Sequence, residues 1–180
     1  MDRDEQQGER QPVILVGVGG SDASIAALIW ASGEARRRNA RLRVIEAWQV
    51  YPARALYAAS PGDRGLPSRD AAADRLAARV RAVLGDAAST AVTTELVEGT
   101  AERVLAETSA RADLLVLGSG SQSPVAQVDP QIVDRPTGPV IRACLSHARC
   151  PVLIIGPAMT ASLGIGGHSL AGRAPAGARV

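Results

Sequence analysis

The sequence predicts an α/β protein built on a doubly wound, five-stranded parallel sheet. Short apolar runs alternate with amphipathic helical segments between residues 12 and 157, which is the pattern of repeated strand-helix-strand units. The runs VILVGV and DLLVLG are apolar throughout, as expected for strands that are covered on both faces. The run AVTTELV instead alternates apolar and polar residues, so we place this third strand at an edge and expect the strand order 3-2-1-4-5.

The predicted elements follow one another at regular intervals. The strands are expected at residues 13–18, 41–48, 91–97, 113–118 and 151–155. The four helices follow residues of types that are favoured at helix starts, namely Ser21 or Asp22, Ser68, Thr100 and Gly138. Pro139 suits the first position of the fourth helix, because its fixed φ and its missing N–H are tolerated there.

One folded domain is expected between two irregular termini. Residues 1–11 form a charged leader with little to bury, and residues 158–180 are rich in Gly, Ala and Pro. We expect a disordered leader and a flexible tail. A chain of 180 residues that is 46% hydrophobic suffices for one sizeable core, which we assign to residues 12–157.

The absence of lysine from the sequence excludes several classes of α/β protein. All 20 are arginine, so the chain has no lysine for a Walker A loop, a Schiff base or a receiver domain. A net charge of +2 is too mild to require nucleic acid or a membrane as the partner. The arginines of ARRRNARLR, residues 35–43, are interpreted as solvated groups that complement the dipole at a helix end.

Nothing in the sequence predicts a metal site or an exported protein. Cys144 and Cys150 lack both a second pair for zinc and the Cys-x-x-Cys spacing of redox motifs. The leader has no apolar core of the signal-peptide kind, and no apolar run approaches the length of a membrane span. We therefore expect a cytoplasmic protein.

Three segments carry a resemblance to a known family. They read VILVGVGGSDASIAALIWASGEA, EGTAERVLAETSARADLLVLGS and GPVIRACLSHARCPVLII, in this order and with matching elements between them. Over residues 12–156 the chain resembles the universal stress protein family. The resemblance implies a 3-2-1-4-5 sheet of the adenine-nucleotide α-hydrolase type, a homodimer, a role in stress adaptation and, in one branch, ATP or AMP bound with magnesium at the switch point.

The nucleotide-binding branch carries a G-x2-G-x9-G-[ST] motif after the fourth strand. Gly118 matches its first glycine, and Ser121 takes the place of the second, with Gly120 one residue away. Gly138 matches the third glycine, and Pro139 occupies the position of the Ser or Thr. The loop between Gly118 and Gly138 is longer than the motif allows, so this chain carries an altered form of it.

The first turn also departs from the family pattern, since Gly19 stands where the family usually has an Asp that contacts the nucleotide. A backbone contact from the second strand would map to Ala47. The nucleotide-contacting positions implied by the resemblance are Val18, Gly19, Ala47, Gly118, Gly120, Ser121, Gly138, Pro139 and Val140.

Some features of this loop favour the binding of a phosphate group, and others oppose it. Free N–H groups at a helix start attract an anion, glycine lets a phosphate approach closely, and Arg135 would add a charged donor. Against this, Pro139 removes one N–H and one hydroxyl, and Asp129 and Asp134 would repel a polyphosphate.

No catalytic residue is assigned. Ser21 and Ser119 lie on strand-to-helix turns but not in G-x-S-x-G, so helix capping or turn formation is the favoured interpretation. His147 is interpreted as structural, and Glu46 either faces the crevice or is a solvated edge residue. Three hypotheses remain: a nucleotide-binding dimer, an interaction module of the same fold without nucleotide, and, disfavoured, an adenine-nucleotide hydrolase.

The last predicted strand argues for a partner. It is apolar on both faces and yet occupies an edge of the sheet, where an uncovered strand promotes aggregation. A symmetric homodimer would cover this edge, and the family resemblance implies the same contact. The residues assigned to this interface are Val152, Leu153, Ile154 and Ile155.

Overall fold

The computed structural model describes residues 10–49, 68–86, 91–119 and 138–164. The strands β1 (Val13–Gly17), β2 (Arg41–Trp48), β3 (Val92–Glu98), β4 (Leu114–Gly118) and β5 (Val152–Ile155) form one parallel sheet. Their order is β3-β2-β1-β4-β5. The predicted fold class and strand order are therefore confirmed.

The helices are α1 (Asp22–Arg37), α2 (Arg69–Leu84), α3 (Ala101–Thr108), α4 (Pro139–His147) and α5 (Pro157–Ser162). A short 3₁₀ turn, Ser109–Arg111, follows α3. Helix α5 lies within the first residues of the segment that we expected to be a flexible tail, where Thr160 is buried and its hydroxyl donates to the carbonyl of Gly156. The leader up to residue 9 and the tail from residue 165 lie outside the described residues.

Local capping explains why the first three helices begin where they do. Ser21, Ser68 and Thr100 each accept a hydrogen bond from the backbone N–H three residues later, at 3.2, 3.1 and 3.3 Å. Each bond satisfies one of the donors that a helix start leaves without an intrahelical partner. Ser68 and Thr100 are the caps that residue type predicts, and of the two candidates for the first helix, Ser21 and Asp22, the cap is Ser21.

The two faces of the sheet are covered by different helices. On one face, Leu28 of α1 and Leu76 of α2 pack against Ile14, Val16 and Val44. On the other face, α3 and α4 pack against the remaining strand side chains; the buried members of this second cluster are Leu15, Ile45, Val104, Leu105, Leu115, Leu117, Ile141 and Cys144. Strand β1 is consequently buried over its whole length, which is why its sequence is apolar without alternation.

Candidate functional site

The strands β1 and β4 are neighbours, but the helices that follow them lie on opposite faces of the sheet. Helix α1 belongs to the first core cluster and α4 to the second. The winding direction therefore reverses between β1 and β4, so the topology places the switch-point crevice at the carboxyl ends of these two strands. In parallel α/β sheets this is the usual place for a ligand.

Gly118 sets the geometry of one wall of the crevice. A Cβ at this position would lie 2.3 Å from both the carbonyl carbon and the carbonyl oxygen of Ala23, and 2.6 Å from the N atom of Ser24. Such distances are far inside van der Waals contact, so only glycine lets the end of β4 meet the first turn of α1. The backbone of β4 is thus brought close to a helix N-terminus, which carries a partial positive charge.

Ser119 extends β4 by one residue and contributes an unsatisfied group. Its N–H donates to the carbonyl of Ile155 at 2.8 Å. Side chains alternate along a strand, so Ser119 points to the same face as Leu117, towards the α4 layer. Its hydroxyl oxygen is buried and has no hydrogen-bond partner within the described part of the chain.

A buried hydroxyl without a partner costs free energy, and native structures usually satisfy such groups with protein, water or ligand atoms. The position of Ser119 in the sequence favours helix capping or turn formation, and neither interpretation predicts a buried hydroxyl without a partner. The sequence feature that could have indicated this hydroxyl is the position of Ser119, directly after the glycine that ends an apolar strand at the switch point.

Helix α4 begins without a capping side chain from any residue that the structure describes. Gly138 is the N-cap, no described side chain accepts a hydrogen bond from the first turn, and the Arg142 N–H donates to the Gly138 carbonyl at 3.1 Å. Pro139 occupies the first helical position, as predicted, and has no N–H. The first N–H groups available to a ligand are therefore those of Val140 and Ile141.

The turn after β1 has a glycine-specific shape. The Val18 N–H donates to the carbonyl of Ile45 at 2.9 Å, which holds the start of the turn against β2. Gly20 has a φ of +81°, a value that side-chain-bearing residues rarely adopt. Gly19 is exposed, and apart from its chain neighbours no atom of the described residues lies within 4 Å of the place that its Cβ would take. The space implied for an aspartate side chain is therefore open.

A basic group reaches this turn from α2. The Arg79 Nη1 atom lies 3.8 Å from the position of a Cβ on Gly20, and 3.2 Å from the Glu46 Oε2 atom. Both side chains of this ion pair are partly buried. Glu46, whose environment the sequence left open, is thus a paired carboxylate at the end of β2.

Most of the predicted site residues lie at the carboxyl edge of the sheet, and the rest lie outside the described residues. Val18, Gly19 and Gly118 lie at the carboxyl ends of β1 and β4, while Gly138, Pro139 and Val140 begin α4. Ala47 lies on β2, in register with Val97 of β3, one strand further from β4. The remaining positions, Gly120, Ser121, Asp129, Asp134 and Arg135, lie outside the described residues.

Other candidate groups are placed away from the crevice or are already engaged. His147 is an exposed residue at the end of α4, on the opposite edge of the sheet. The Ser21 hydroxyl caps α1. Within the described ranges, no group of three His, Cys, Asp or Glu side chains is arranged to hold a metal ion.

The sequence and the fold match a known family. The model of the universal stress protein family matches residues 12–156. This chain belongs to the universal stress protein family. In the described residues, no helix of this universal stress protein is long and apolar enough to cross a membrane.

Two curated relatives are the universal stress proteins MT2087 and Rv2028c of Mycobacterium tuberculosis. Each is 35% identical over 159 residues, which cover 84% of this chain and 50% of the relative. The chain therefore spans about half the length of these universal stress proteins.

Solved structures show the same fold. Universal stress protein UspA from Lactobacillus plantarum is 25% identical, with a TM-score of 0.53 over 81% of this chain and 98% of that one. A universal stress protein solved in complex with cAMP is 26% identical over 80% of this chain and 95% of that one. Its TM-score of 0.49 is too low for its ligand to inform the site of this chain.

Proposed function

We propose that this universal stress protein binds an adenine nucleotide, ATP or AMP, in the crevice between β1 and β4. We further propose that it works as a cytoplasmic homodimer in stress adaptation. The family relationship supports the role in stress, and the crevice supports the ligand. Both cysteines in the described residues are free thiols, as is common in a reducing compartment.

The observation that carries the ligand proposal is the buried Ser119 hydroxyl without a partner. Its side chain points towards the layer whose helix, α4, begins with uncapped N–H groups. A phosphate oxygen placed here would accept from the Ser119 hydroxyl and from the Val140 and Ile141 N–H groups. Hydrogen bonds to an anion are stronger than neutral ones, and the dipole of α4 adds to them.

The adenosine part would be held differently from the family pattern. Gly19 leaves open space in place of the aspartate, so the first turn offers backbone groups of Val18 and Gly19 and, beside them, the Arg79 guanidinium. Ala47 would contribute its backbone from β2. The magnesium ion of ATP would be bound through the phosphates, as is usual for this ion.

A substitution at Ser119 tests this arrangement. Ser119→Ala removes the hydroxyl that would contact the phosphate, so we expect the affinity for ATP to fall about tenfold. The melting temperature without nucleotide should stay the same or rise, because the variant loses a buried, unsatisfied hydroxyl and no hydrogen bond within the described structure. The matched control is Ser162→Ala, which removes an exposed hydroxyl on α5 that donates within its own helix, to the carbonyl of Ala158.

Binding titrations of both variants give the result. Equal affinities of the wild type and Ser119→Ala would remove Ser119 from the site. A loss of affinity in Ser162→Ala as well would show a general effect on the fold.

The homodimer is supported by the outer edge of β5. Val152, Leu153 and Ile154 are all partly exposed although β5 pairs with β4 on one side, and no described strand pairs with its other side. Leu145 at the end of the preceding helix is 55% exposed. A second copy that pairs along β5 would cover this edge.

The dimer is tested by the mass in solution at micromolar concentration. Light scattering should give twice the chain mass of 18.6 kDa for the wild type. Ile154→Lys, with its fold checked by circular dichroism, should shift the mass towards the monomer. A monomeric wild type would refute the proposal without reference to any variant.

The second candidate function is an interaction module of the same fold that binds no nucleotide. It is favoured by Pro139, which removes one N–H from the first turn of α4, and by Gly19, which lacks the carboxylate of the family. Under this alternative, wild-type protein shows neither bound nucleotide nor stabilisation by ATP.

A further inference from the structure

Arginines collect at the amino edge of the sheet, opposite the crevice. Strands begin and helices end at this edge, and the described residues there include more arginines than acidic residues. The arginines are Arg10, Arg36, Arg37, Arg38, Arg41, Arg81, Arg111 and Arg149. The acidic residues are Glu34, Asp86, Glu107 and Asp113.

Part of this positive charge is neutralised within the chain. Arg10 pairs with Asp113 at 2.6 Å. Arg37 and Arg38 both pair with the single carboxylate of Glu34. The other two acidic residues are also engaged, since Arg81 pairs with Asp86 at 3.6 Å and Arg103 with Glu107 at 3.9 Å.

Other arginines have no ionic partner among the residues that the structure describes. Arg36, Arg41, Arg111 and Arg149 are exposed, and none of them forms an ion pair within the described ranges. Helix-dipole stabilisation accounts for Arg36 at the end of α1, but Arg41 begins a strand. A guanidinium in this state is available to an anionic partner.

Hydrogen bonds of the backbone show that the segments carrying these arginines lie side by side along the edge. The Arg41 N–H donates to the Pro12 carbonyl at 2.8 Å, and the Asp113 N–H donates to the Val13 carbonyl at 2.8 Å. The Arg149 N–H donates to the Ser109 hydroxyl at 2.9 Å, which brings Arg149 close to the turn that contains Arg111. Because neighbouring strands are about 4.8 Å apart, the starts of β2, β1, β4 and β5 form a line of roughly 15 Å.

A groove of about 580 Å³ adjoins one end of this line. Arg36 and Asn39 contribute polar groups to it, and Gln11, which also lines it, donates to the Asn39 carbonyl at 3.0 Å. The remaining lining consists of Ser32 and the apolar residues Ala35, Ala40, Leu42, Ala91 and Val92. Arg36 thus belongs both to the charged line and to an apolar groove.

We propose that the amino edge binds an acidic peptide segment of a partner protein that carries an aliphatic side chain. The aliphatic side chain packs in the groove against Leu42 and Val92, and the carboxylates pair with Arg36, Arg41 and Arg111. Guanidinium groups suit this task because they bind carboxylates in a bidentate manner. The described residues of the edge and groove include no aromatic side chain on which nucleic-acid bases would stack, which favours a peptide.

This surface lies on the opposite edge of the sheet from the crevice, so the proposal does not depend on nucleotide binding. The probe is a fluorescein-labelled peptide of sequence Asp-Glu-Leu-Glu-Asp-Leu, measured by fluorescence anisotropy with the full chain. We expect binding in the range of about 10–100 µM at low salt. Binding should weaken as salt is raised, because the pairs are exposed.

Two double variants separate the edge from a general charge effect. Arg36→Glu with Arg41→Glu reverses two charges at the amino edge and should weaken binding more than about tenfold. Arg75→Glu with Arg142→Glu makes the same change in net charge at exposed positions nearer the carboxyl edge, and should leave affinity within about twofold. Equal losses in both would overturn a localised site.

Changes to the probe test which chemical features of the partner the amino edge recognises. Replacement of both leucines by serine should weaken binding if the groove holds an aliphatic side chain. Tighter binding of a hexathymidylate oligonucleotide than of the peptide would mean that the edge is a general polyanion surface and would overturn the proposal. Absence of saturation at about 1 mM peptide would do so as well.

Discussion

The end of β4 touches the first turn of α1 through Gly118 and Ala23. A Cβ on Gly118 would lie 2.3 Å from the carbonyl oxygen of Ala23, so the two backbones meet without a side chain between them. This contact joins the strand that leads to Ser119 to a helix whose N-terminus borders the crevice. The glycine is therefore required for packing, whether or not a ligand is bound.

Gly118→Ala should destabilise the fold strongly. The added Cβ meets backbone atoms, which cannot rotate away, so we expect a loss of about 3 kcal/mol in the free energy of unfolding. Gly19→Ala is the control, because nothing lies within 4 Å of its Cβ position, and its effect should stay within about 0.5 kcal/mol. Urea unfolding measures both, and similar effects of the two substitutions would contradict the close contact.

An ion pair between β2 and β3 should stabilise the edge of the sheet. The Arg43 Nε and Nη2 atoms each lie 2.8 Å from a Glu95 carboxylate oxygen, and the pairing raises the pKa of Arg43. Because the side chains are only partly exposed, Glu95→Gln should lower the free energy of unfolding by about 1 kcal/mol. Glu107→Gln breaks a longer and more exposed pair with Arg103, at 3.9 Å, and should change little. If the two variants unfold at the same urea concentration, the pair does not stabilise the edge.

Glu34 should make stability depend on pH. Its hydrogen bonds with Arg37, above all, and with Arg38 hold its pKa below the ordinary value of 4.5. A depressed folded-state pKa means that the stabilisation is complete above the unfolded value and is lost as the pH falls through the folded value. Thermal unfolding of Glu34→Gln should therefore start lower than that of the wild type at pH 7, with the difference shrinking below about pH 4. A difference that is constant across this range would contradict the ionic origin.

The cysteines should be poor nucleophiles in the folded protein. Burial in the α3–α4 layer raises the pKa of Cys144 to about 11, and burial also raises the pKa of Cys150. Because the thiolate is the reactive form, both thiols should react with Ellman's reagent at pH 8 more slowly than free cysteine. Cys144, which is fully buried, should react only on unfolding. Rapid release of colour by two thiols in the native protein would contradict this burial.

Local sequence patterns were sufficient to predict much of the fold. The continuous apolar run of β1 indicated a central strand, because a strand that is buried on both faces needs apolar residues at every position. The alternation in β3 indicated an edge strand, because only one of its faces is fully covered. The caps Ser21, Ser68 and Thr100 were predicted because capping depends only on residues within one turn.

Contacts between residues distant in sequence were not predictable in this way. Arg79 and Glu46 are separated by 33 residues, and no periodic pattern indicates that they pair beside Gly20. The unsatisfied state of Ser119 depends on what surrounds it in three dimensions rather than on its neighbours in the chain. Helix α5 was missed because its six residues carry no apolar periodicity. The burial of Thr160 depends on tertiary packing, which the local sequence does not indicate.

The most direct test of the central claim is a calorimetric titration of ATP, with and without magnesium, into protein freed of co-purified nucleotide. The crevice predicts saturable binding of one nucleotide per chain, with a dissociation constant of about 1–100 µM. It also predicts loss of binding in Gly138→Trp, which places a large side chain at the start of α4, where no described atom lies within 4 Å of the Cβ position. No heat and no co-purified nucleotide in the wild type would contradict the claim and leave the fold as an interaction module.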